Sequence, residues 1–491
     1  MLSALRRDRA AAVVVGLTVL AAALRFATLD VQSLSGDEGV TDALLRMSFG
    51  DMLSTIPDTE STPPLYYALA WIWARVFGHG EVGLRSLPAL AGTATVPAVY
   101  AAGRALASAR VGAIAAGLAA VSPLLVWYSQ EARAYSLLVL LGALSLWLMA
   151  RALDAPSGRR LAAWALVCAL ALATHYYAVF LVAAEAGWLV WRVRPRMRAA
   201  IAAVAVVAVA LALLPLALDQ RATGNFTRTI ESVELSQRVK EAPKKFLVGE
   251  QGTPGDYGQP AEALKLAAGA LALLAAALLL ARARARERAG ELTAAAIGGA
   301  AAGVPLAMAL AGFDYFAAYL LIAAWVPLAI AAAAGLATGR AGHAAAALLG
   351  AAFLAVTISV PVGDALRRPD FRGAAKALGH ADEPRAIVAT PDNSFAPLDH
   401  YLRDLEPLPG AGVTVREVAL VGMHSEDESF RRRPGRPPAT PPAPGFRLVE
   451  VVDDDRFTVL RFRAARPMRL SVGQLGEARL GDTAPTGAFQ R

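Results

Sequence analysis

The chain has 491 residues, of which 56% are hydrophobic and 18% charged, with a formal net charge of +8 and a mean hydropathy of +0.45. Soluble domains carry about 25% charged residues, so this composition excludes both an ordinary cytosolic enzyme and a disordered chain. Length alone would suggest roughly three domains. The apolar residues instead come in runs of about 20, the length a helix needs to cross a bilayer.

Apolar windows lie near 10–27, 64–78, 84–107, 111–128, 135–153, 161–177, 178–191, 199–218, 262–281, 292–312, 315–336 and 341–361. The first follows Arg6, Arg7 and Arg9 and resembles a signal peptide. With no small-residue cleavage site and many windows behind it, it reads as a retained first helix. Arginines cluster at 6–9, 104–110, 151–160, 192–198, 282–288 and around Arg340. The positive-inside rule places all of these clusters in the cytoplasm. The chain must then cross an even number of times between the first two clusters, yet three windows lie there. The window 64–78 is the one that does not cross. It is short, opens on Pro63-Pro64, carries Arg75, and is rich in aromatic residues (Tyr66, Tyr67, Trp71, Trp73, Phe77). Such a segment fits a helix lying in the membrane interface.

Eleven spans remain, with the N-terminus cytoplasmic and the C-terminus outside. The expected protein is an all-α polytopic protein of an inner or plasma membrane. Residues 1–361 form its transmembrane domain and 362–491 a small extracytoplasmic α/β domain. The outer face gathers the loops 28–83, 129–134 and 219–261 and the tail. The tail alternates like strand at 446–452 and 457–462 around Asp453-Asp454-Asp455, and 430–445 is an Arg/Pro-rich loop. The positive charge is mainly an orientation signal, which removes nucleic acid as the default partner. Cys168, the single cysteine, sits inside an apolar run and reads as a small buried filler.

Four features could carry chemistry. The first outer loop holds Asp37-Glu38 between Gly36 and Gly39, with Asp30, Asp42, Asp51, Asp58 and Glu60 nearby. A carboxylate at a membrane surface can serve as a general base or help hold a divalent cation. The plainer reading is a solvated acidic loop. The stretch 127–137 places Glu131 and Arg133 beside Tyr128 and Tyr135 at the outer junction of two windows. Ionisable groups at membrane depth default to a functional hypothesis, although an interfacial charge pair with aromatic anchors would look the same. His175-Tyr176-Tyr177 faces the same compartment. Glu185 lies mid-window and reads as an interhelical hydrogen-bonding group.

The ordered set GDE, PPLYY with LRSLPAL, YSQEARAYSL and THYY resembles the C-type glycosyltransferases (GT-C), closest to family 39. That family includes the protein O-mannosyltransferases, the aminoarabinose transferases and the sugar transferases of lipopolysaccharide cores. The resemblance covers about the first 220 residues. It implies an enzyme that takes a sugar from a polyprenyl-phosphate donor on the non-cytoplasmic side, with inversion, and passes it to a glycan, lipid or protein acceptor. It implies Asp37 as catalytic base with Glu38 beside it. Arg85, Arg133, His175 and Tyr176 would surround the leaving phosphate, with Glu131, Tyr135 and Tyr319 completing the substrate site. A divalent cation, Mg or Mn, is left open as cofactor, with Asp37 and Glu131 as the ligands it would take.

Two departures stand out. Tyr319 has no arginine or lysine near it in sequence, and Glu60-Ser61-Thr62-Pro63 replaces the lysine that aminoarabinose transferases place before their proline. A transporter or flippase of lipid-linked sugars, or a non-catalytic membrane scaffold, would also explain many spans. Neither gives the acidic pair a role.

Overall fold

The structure, a computed structural model, describes residues 2–223, 230, 233–249, 269–270, 274–275, 277, 289–363, 368–424, 441–480 and 484–490. The chain divides into two compact units. One is Met1–Leu29 with Phe49–Val362, and the other is Asp30–Ser48 with Gly363–Arg491. The second unit is therefore discontinuous in sequence and takes a piece of the first outer loop, which the sequence reading grouped with the helices.

The first unit is built of helices. α1 (Leu2–Phe26) is followed, after α2 (Gly36–Arg46) of the second unit, by α3 (Phe49–Thr59), α4 (Leu65–Phe77) and α5 (Glu81–Leu106). Next come the pair α6 (Ala109–Val121) and α7 (Pro123–Ser129), then α8 (Tyr135–Asp154), α9 (Gly158–Thr174), α10 (Ala178–Arg192) and α11 (Arg196–Ala222). α12 (Leu235–Val248), α13 (Ala289–Leu310), α14 (Trp325–Leu336) and α15 (Gly339–Val362) complete it. Serine side chains at 108, 122 and 157 cap α6, α7 and α9 by accepting the N–H three residues on.

Among the described residues, five helices are long and apolar enough to cross a bilayer (α1, α8, α11, α13 and α15), and the bent pair α6–α7 adds a sixth. The expected eleven spans are not reproduced by that count. α9 and α10 have only 17 and 15 residues, and most of the window 262–281 lies outside the described residues. The window 315–336 is not one helix. Its first part is an irregular loop held by side-chain hydrogen bonds, and helical structure begins only at Ile322. α4 runs for 13 residues, about 20 Å at 1.5 Å per residue and too short for a hydrocarbon core of about 30 Å. It buries Tyr66, Tyr67, Ala70 and Ala74 and exposes Leu69, Ile72, Val76 and Phe77, with the Arg75 guanidinium 4.1 Å from the centre of the Trp71 ring. That is the pattern of an interfacial helix.

The exposed surface of the longest helix is itself apolar, with Val204, Leu211 and Leu218 of α11 all open, as a lipid-facing helix requires. A buried carboxylate inside the bundle is paired. Glu185 on α10 accepts from Ser145 Oγ on α8 at 3.0 Å and from Trp164 Nε1 on α9 at 2.7 Å, tying three helices together. Cys168 is buried beside this cluster as an unoxidised thiol.

The bend between α6 and α7 measures 56° and occurs where Ser122-Pro123 interrupts the helix, since proline offers no N–H and crowds the preceding turn. Carbonyls freed inside an apolar layer must find other donors. Arg25, fully buried on α1, supplies them: Nη2 donates to the Ala119 carbonyl at 3.1 Å and Nη1 to the Ala120 carbonyl at 2.9 Å. Thr357 Oγ1 on α15 donates to the Val121 carbonyl at 2.9 Å. Arg25 Nε also donates to Ser129 Oγ at 3.1 Å. Gly92 on α5 leaves the room, because a Cβ there would lie 2.9 Å from Arg25 Nε.

The second unit carries a six-stranded sheet in the order β2-β6-β1-β3-β5-β4. Its strands are β1 (Arg385–Thr390), β2 (Leu405–Pro407), β3 (Val413–Met423), β4 (Phe446–Asp453), β5 (Phe457–Leu470) and β6 (Thr486–Gln490). Only β1 and β3 pair in parallel; the other neighbours are antiparallel. β4 and β5 flank the turn expected at 453–455, while 430–440 of the Arg/Pro-rich stretch lies outside the described residues. Both sheet faces are covered. Ile387, Ala389, Val421 and Val459 pack against α16 (Phe371–Leu378) and α17 (Phe395–Leu402). Val388, Leu420, Leu460 and Phe462 pack with Leu475 of α18 (Val472–Glu477). The expected α/β tail is therefore present.

Replacing Arg25 by Met roughly keeps the volume and removes the donors to the Ala119 and Ala120 carbonyls. Unpaired buried groups cost about 1–3 kcal/mol each, so the variant is expected to lose several degrees of thermal midpoint in detergent. Arg9→Met, at an exposed position of the same helix, is expected to leave the midpoint in place.

Candidate active site

In the first unit the residues that could hold substrate converge below the bend. α3 ends where Glu60 N–H donates to the Ile56 carbonyl, which turns the Glu60 carboxylate inward at 3% exposure. Arg133, in the turn between α7 and α8, donates from Nη1 to both carboxylate oxygens at 3.0 and 2.8 Å. The buried Tyr67 of α4 donates its hydroxyl to Glu60 Oε2 at 2.5 Å and lies 3.2 Å from Thr62 Oγ1. A carboxylate this deep is tolerable because a guanidinium and a phenol satisfy it together. Arg133 N–H donates to the Glu131 carbonyl at 2.7 Å, and Glu131 is buried in the same turn.

An aromatic wall adjoins this pair. Tyr135 meets Tyr128 at 4.6 Å, His175 at 5.8 Å and Tyr319 at 6.0 Å between ring centres. His175 caps α9 and accepts the Tyr177 N–H on Nδ1 at 3.2 Å, so a neutral ring carries its proton on Nε2. Tyr176 turns elsewhere: its hydroxyl donates to Gln220 Oε1 at 2.8 Å, and Gln220 Nε2 donates to the Thr62 carbonyl at 3.1 Å.

The loop bearing Tyr319 is fixed from outside its own sequence. Arg238 of α12 forms a two-pronged ion pair with Asp314 and donates to the Phe316 carbonyl, and its hydrogen bonds hold the Asp314 carboxyl below its ordinary value. Tyr177 donates its hydroxyl to the Tyr315 carbonyl. The basic group that the sequence lacks near Tyr319 thus arrives by tertiary contact.

An apolar cavity of about 380 Å³ opens among these elements, lined by Ser61, Tyr176, Tyr177, Phe180, Gln220 and Arg221 together with residues of α11, α13 and the 313–315 loop. Tyr177 in its wall meets His175 of the aromatic cluster at 5.8 Å between ring centres. Arg221 is exposed, with its guanidinium 5.8 Å from the Tyr315 ring centre, and has no ion pair among the described residues. Sequence reasoning passed over Arg221, Gln220 and Arg238. Their only sequence signal was a place in or beside the second outer loop.

Arg133, Tyr135, His175 and Tyr319 therefore meet, with Glu131 in the same turn and Tyr176 one hydrogen bond away. Arg85 does not join them through its Nη1, which donates to the Leu29 carbonyl at 2.7 Å from a side chain that is almost fully buried.

The second unit holds the acidic pair and separates its members. Ser35 caps α2, so Asp37 is its second residue and Glu38 its third. Glu38 is fully buried. It closes a capping box by accepting the Ser35 N–H at 2.9 Å, and it pairs with Arg368 Nη1 at 2.9 Å. Asp37 points outward, and its carboxylate makes no hydrogen bond or ion pair among the described residues. The flanking glycines do not make a turn, as the sequence hinted; they sit inside α2. A Cβ at Gly36 would come within 2.6 Å of the Asn393 amide, and one at Gly39 would collide with Pro397. They let α2 lie close against the start of α17. Asp42, one turn on, accepts from Arg46 Nε at 2.8 Å and meets His400 Nδ1 at 2.7 Å. Among the described residues no three His, Cys, Asp or Glu side chains form a group that could hold a metal. Asp37 and Glu131 belong to different units.

Residues 61–218 match the family model described as dolichyl-phosphate-mannose-protein mannosyltransferase, which is less than half of the chain. No curated protein matches. Among solved structures, the arabinofuranosyltransferase AftD from Mycobacteria aligns at 16% identity with a TM-score of 0.51, over 93% of this chain and 40% of that one. The Archaeoglobus fulgidus oligosaccharyltransferase tethered to an acceptor peptide aligns at 16% identity and a TM-score of 0.49, over 75% of this chain and 57% of that one. ArnT from Cupriavidus metallidurans bound to undecaprenyl phosphate aligns at 17% identity and 0.45, over 91% and 97%. The chain thus spans little more than half the length of the archaeal protein and less than half of the mycobacterial one. Over residues 61–218 the chain is thus similar to that mannosyltransferase family, and its fold resembles that of the mycobacterial arabinofuranosyltransferase.

Proposed function

We propose that the protein is an integral-membrane glycosyltransferase that moves a sugar from a polyprenyl-phosphate donor to a hydroxyl acceptor on the outer face of the membrane. The observation that carries the donor half is the junction, within the first unit, of an apolar cavity with a polar cluster built on Arg133. A prenyl chain needs the first and a phosphate needs the second. The family description of the matched segment, a dolichyl-phosphate sugar enzyme, supports the same donor class.

In this reading the prenyl chain lies in the cavity. Arg221 at its lip and the Arg133–Glu60 pair deeper in receive the phosphate, since guanidinium planes match phosphate oxygens. Tyr135, His175 and Tyr319 form a wall against which a sugar ring can stack, and Glu131 orients it. Asp37 takes the acceptor proton, because it is the member of the acidic pair left open to solvent. The acceptor oxygen then bonds to the anomeric carbon as the bond from that carbon to the phosphate oxygen breaks. The configuration inverts, and the lipid phosphate leaves with the electron pair. The charge that develops on the phosphate is what fixed cations stabilise best.

Two substitutions separate the acidic neighbours. Asp37→Asn is expected to reduce transfer from a polyprenyl-phosphate sugar by about 10²-fold or more with an unchanged thermal midpoint; unchanged transfer would remove Asp37 from the mechanism. Glu38→Gln is expected to lower the midpoint first, because it strands the buried Arg368. For the donor site, Arg133→Gln leaves Glu60 buried and uncompensated and should cost about 3–5 kcal/mol of stability. Adding Glu60→Gln should recover part of that loss without restoring transfer, which a double-mutant cycle in detergent would read.

A further inference from the structure

We infer that the arginine-rich end of the helical bundle carries a pocket for the phosphodiester headgroup of an anionic phospholipid. A cavity of about 690 Å³ opens there between the ends of α5, α8, α10 and α13, lined among others by Leu106, Asp154, Trp188, Trp191, Arg192 and Arg194. It involves none of the residues assigned to sugar transfer.

Its chemistry is that of a lipid headgroup site. Arg192 and Arg194 are both exposed, and neither forms an ion pair among the described residues. Arg192 is held beside the Trp191 ring, its guanidinium 5.5 Å from the ring centre, and Trp191 meets Trp188 edge-on at 5.2 Å. Arg194 is fixed by Nη1, which donates to the Trp191 and Val193 carbonyls at 2.7 and 3.1 Å. Among the described residues the lining thus holds two guanidiniums and one carboxylate, Asp154, which leaves it positive. The two indoles and the side chains of Leu106 and Leu153 give an apolar ledge at the depth where the glycerol backbone and first acyl carbons of a lipid lie. Basic pockets between transmembrane helices on the cytoplasmic side bind anionic headgroups in this manner, and the positive-inside rule assigns this end to that side. A free phosphate would use the guanidiniums and leave the ledge unused.

The test titrates purified full-length protein in detergent with phosphatidylglycerol or phosphatidylcholine of identical acyl chains. Bound lipid is read by native mass spectrometry and the thermal midpoint in parallel, with inorganic phosphate and glycerol 3-phosphate as separate arms. Phosphatidylglycerol is expected to be retained and to raise the midpoint, with phosphatidylcholine and both soluble phosphates inactive. Each arginine near an anionic headgroup contributes about a factor of five, so R192Q/R194Q is expected to weaken retention on the order of thirtyfold. R196Q/R198Q, in the same cluster but outside the pocket, is expected to retain it. Should the double variant misfold, R192Q alone, whose side chain holds no backbone group, is expected to weaken retention about fivefold. Equal loss in the two double variants, equal binding of the two lipids, or a matching shift with inorganic phosphate would each overturn the inference.

Discussion

A buried guanidinium on the first helix holds the bend of the helical unit in place. A helix inside an apolar layer cannot bend without releasing carbonyls, and released carbonyls there have no water to turn to. Arg25 and Thr357 meet that need at the break between α6 and α7. Because the break is satisfied, α7 leaves at 56° and the turn after it can place Arg133 against Glu60. Gln130 locks the arrangement from the other side by donating to the Leu24 and Arg25 carbonyls at 3.1 Å. A charge in the most apolar part of the bundle thus serves a site to which it donates nothing directly.

The same division between support and chemistry recurs in the acidic pair. Adjacent residues in a helix point about 100° apart, so one can face a core while the other faces solvent. Glu38 is used up by its capping box and by Arg368, whereas Asp37 keeps its lone pairs. The helix N-terminus also favours a carboxylate at both positions, so the pair has a structural reason whatever its chemistry.

Much of this was legible in the sequence, and the reasons are specific. The runs of apolar residues announced a membrane protein, and the parity of the arginine clusters marked 64–78 as non-crossing, which the 13-residue α4 bears out in length and in its amphipathic exposure. The strands around 453–455 followed from alternation. Contacts between distant segments were not legible. Arg238 reaches the Tyr319 loop from α12, and nothing in FDYFAAYLL announces it. The apolar run 315–336 read as one span because hydropathy cannot see the side-chain hydrogen bonds of Asp314 and Tyr177 that hold its first part irregular. Gly36 and Gly39 suggested a turn when their role was to admit a neighbouring helix. Arg25 looked like the end of a span, and only the break it caps gives it meaning.

The strap from Asp30 to Ser48 has a consequence for biosynthesis. It leaves the ribosome early, yet several of the partners that fix it belong to residues beyond 362, made much later. Gln32, Ser33 and Leu34 are held by Arg368, Pro369 and Tyr401, and α2 lies against α17. Domains fold broadly in the order of their synthesis, but this segment must wait through the whole transmembrane region before its scaffold exists. Until then Glu38 has no Arg368 and α2 has no surface to rest on. The helix that carries Asp37 is therefore packed only once the sheet that follows α15 has formed, and a chain cut short after α15 would carry the helices of the first unit with its acidic motif still unmoored.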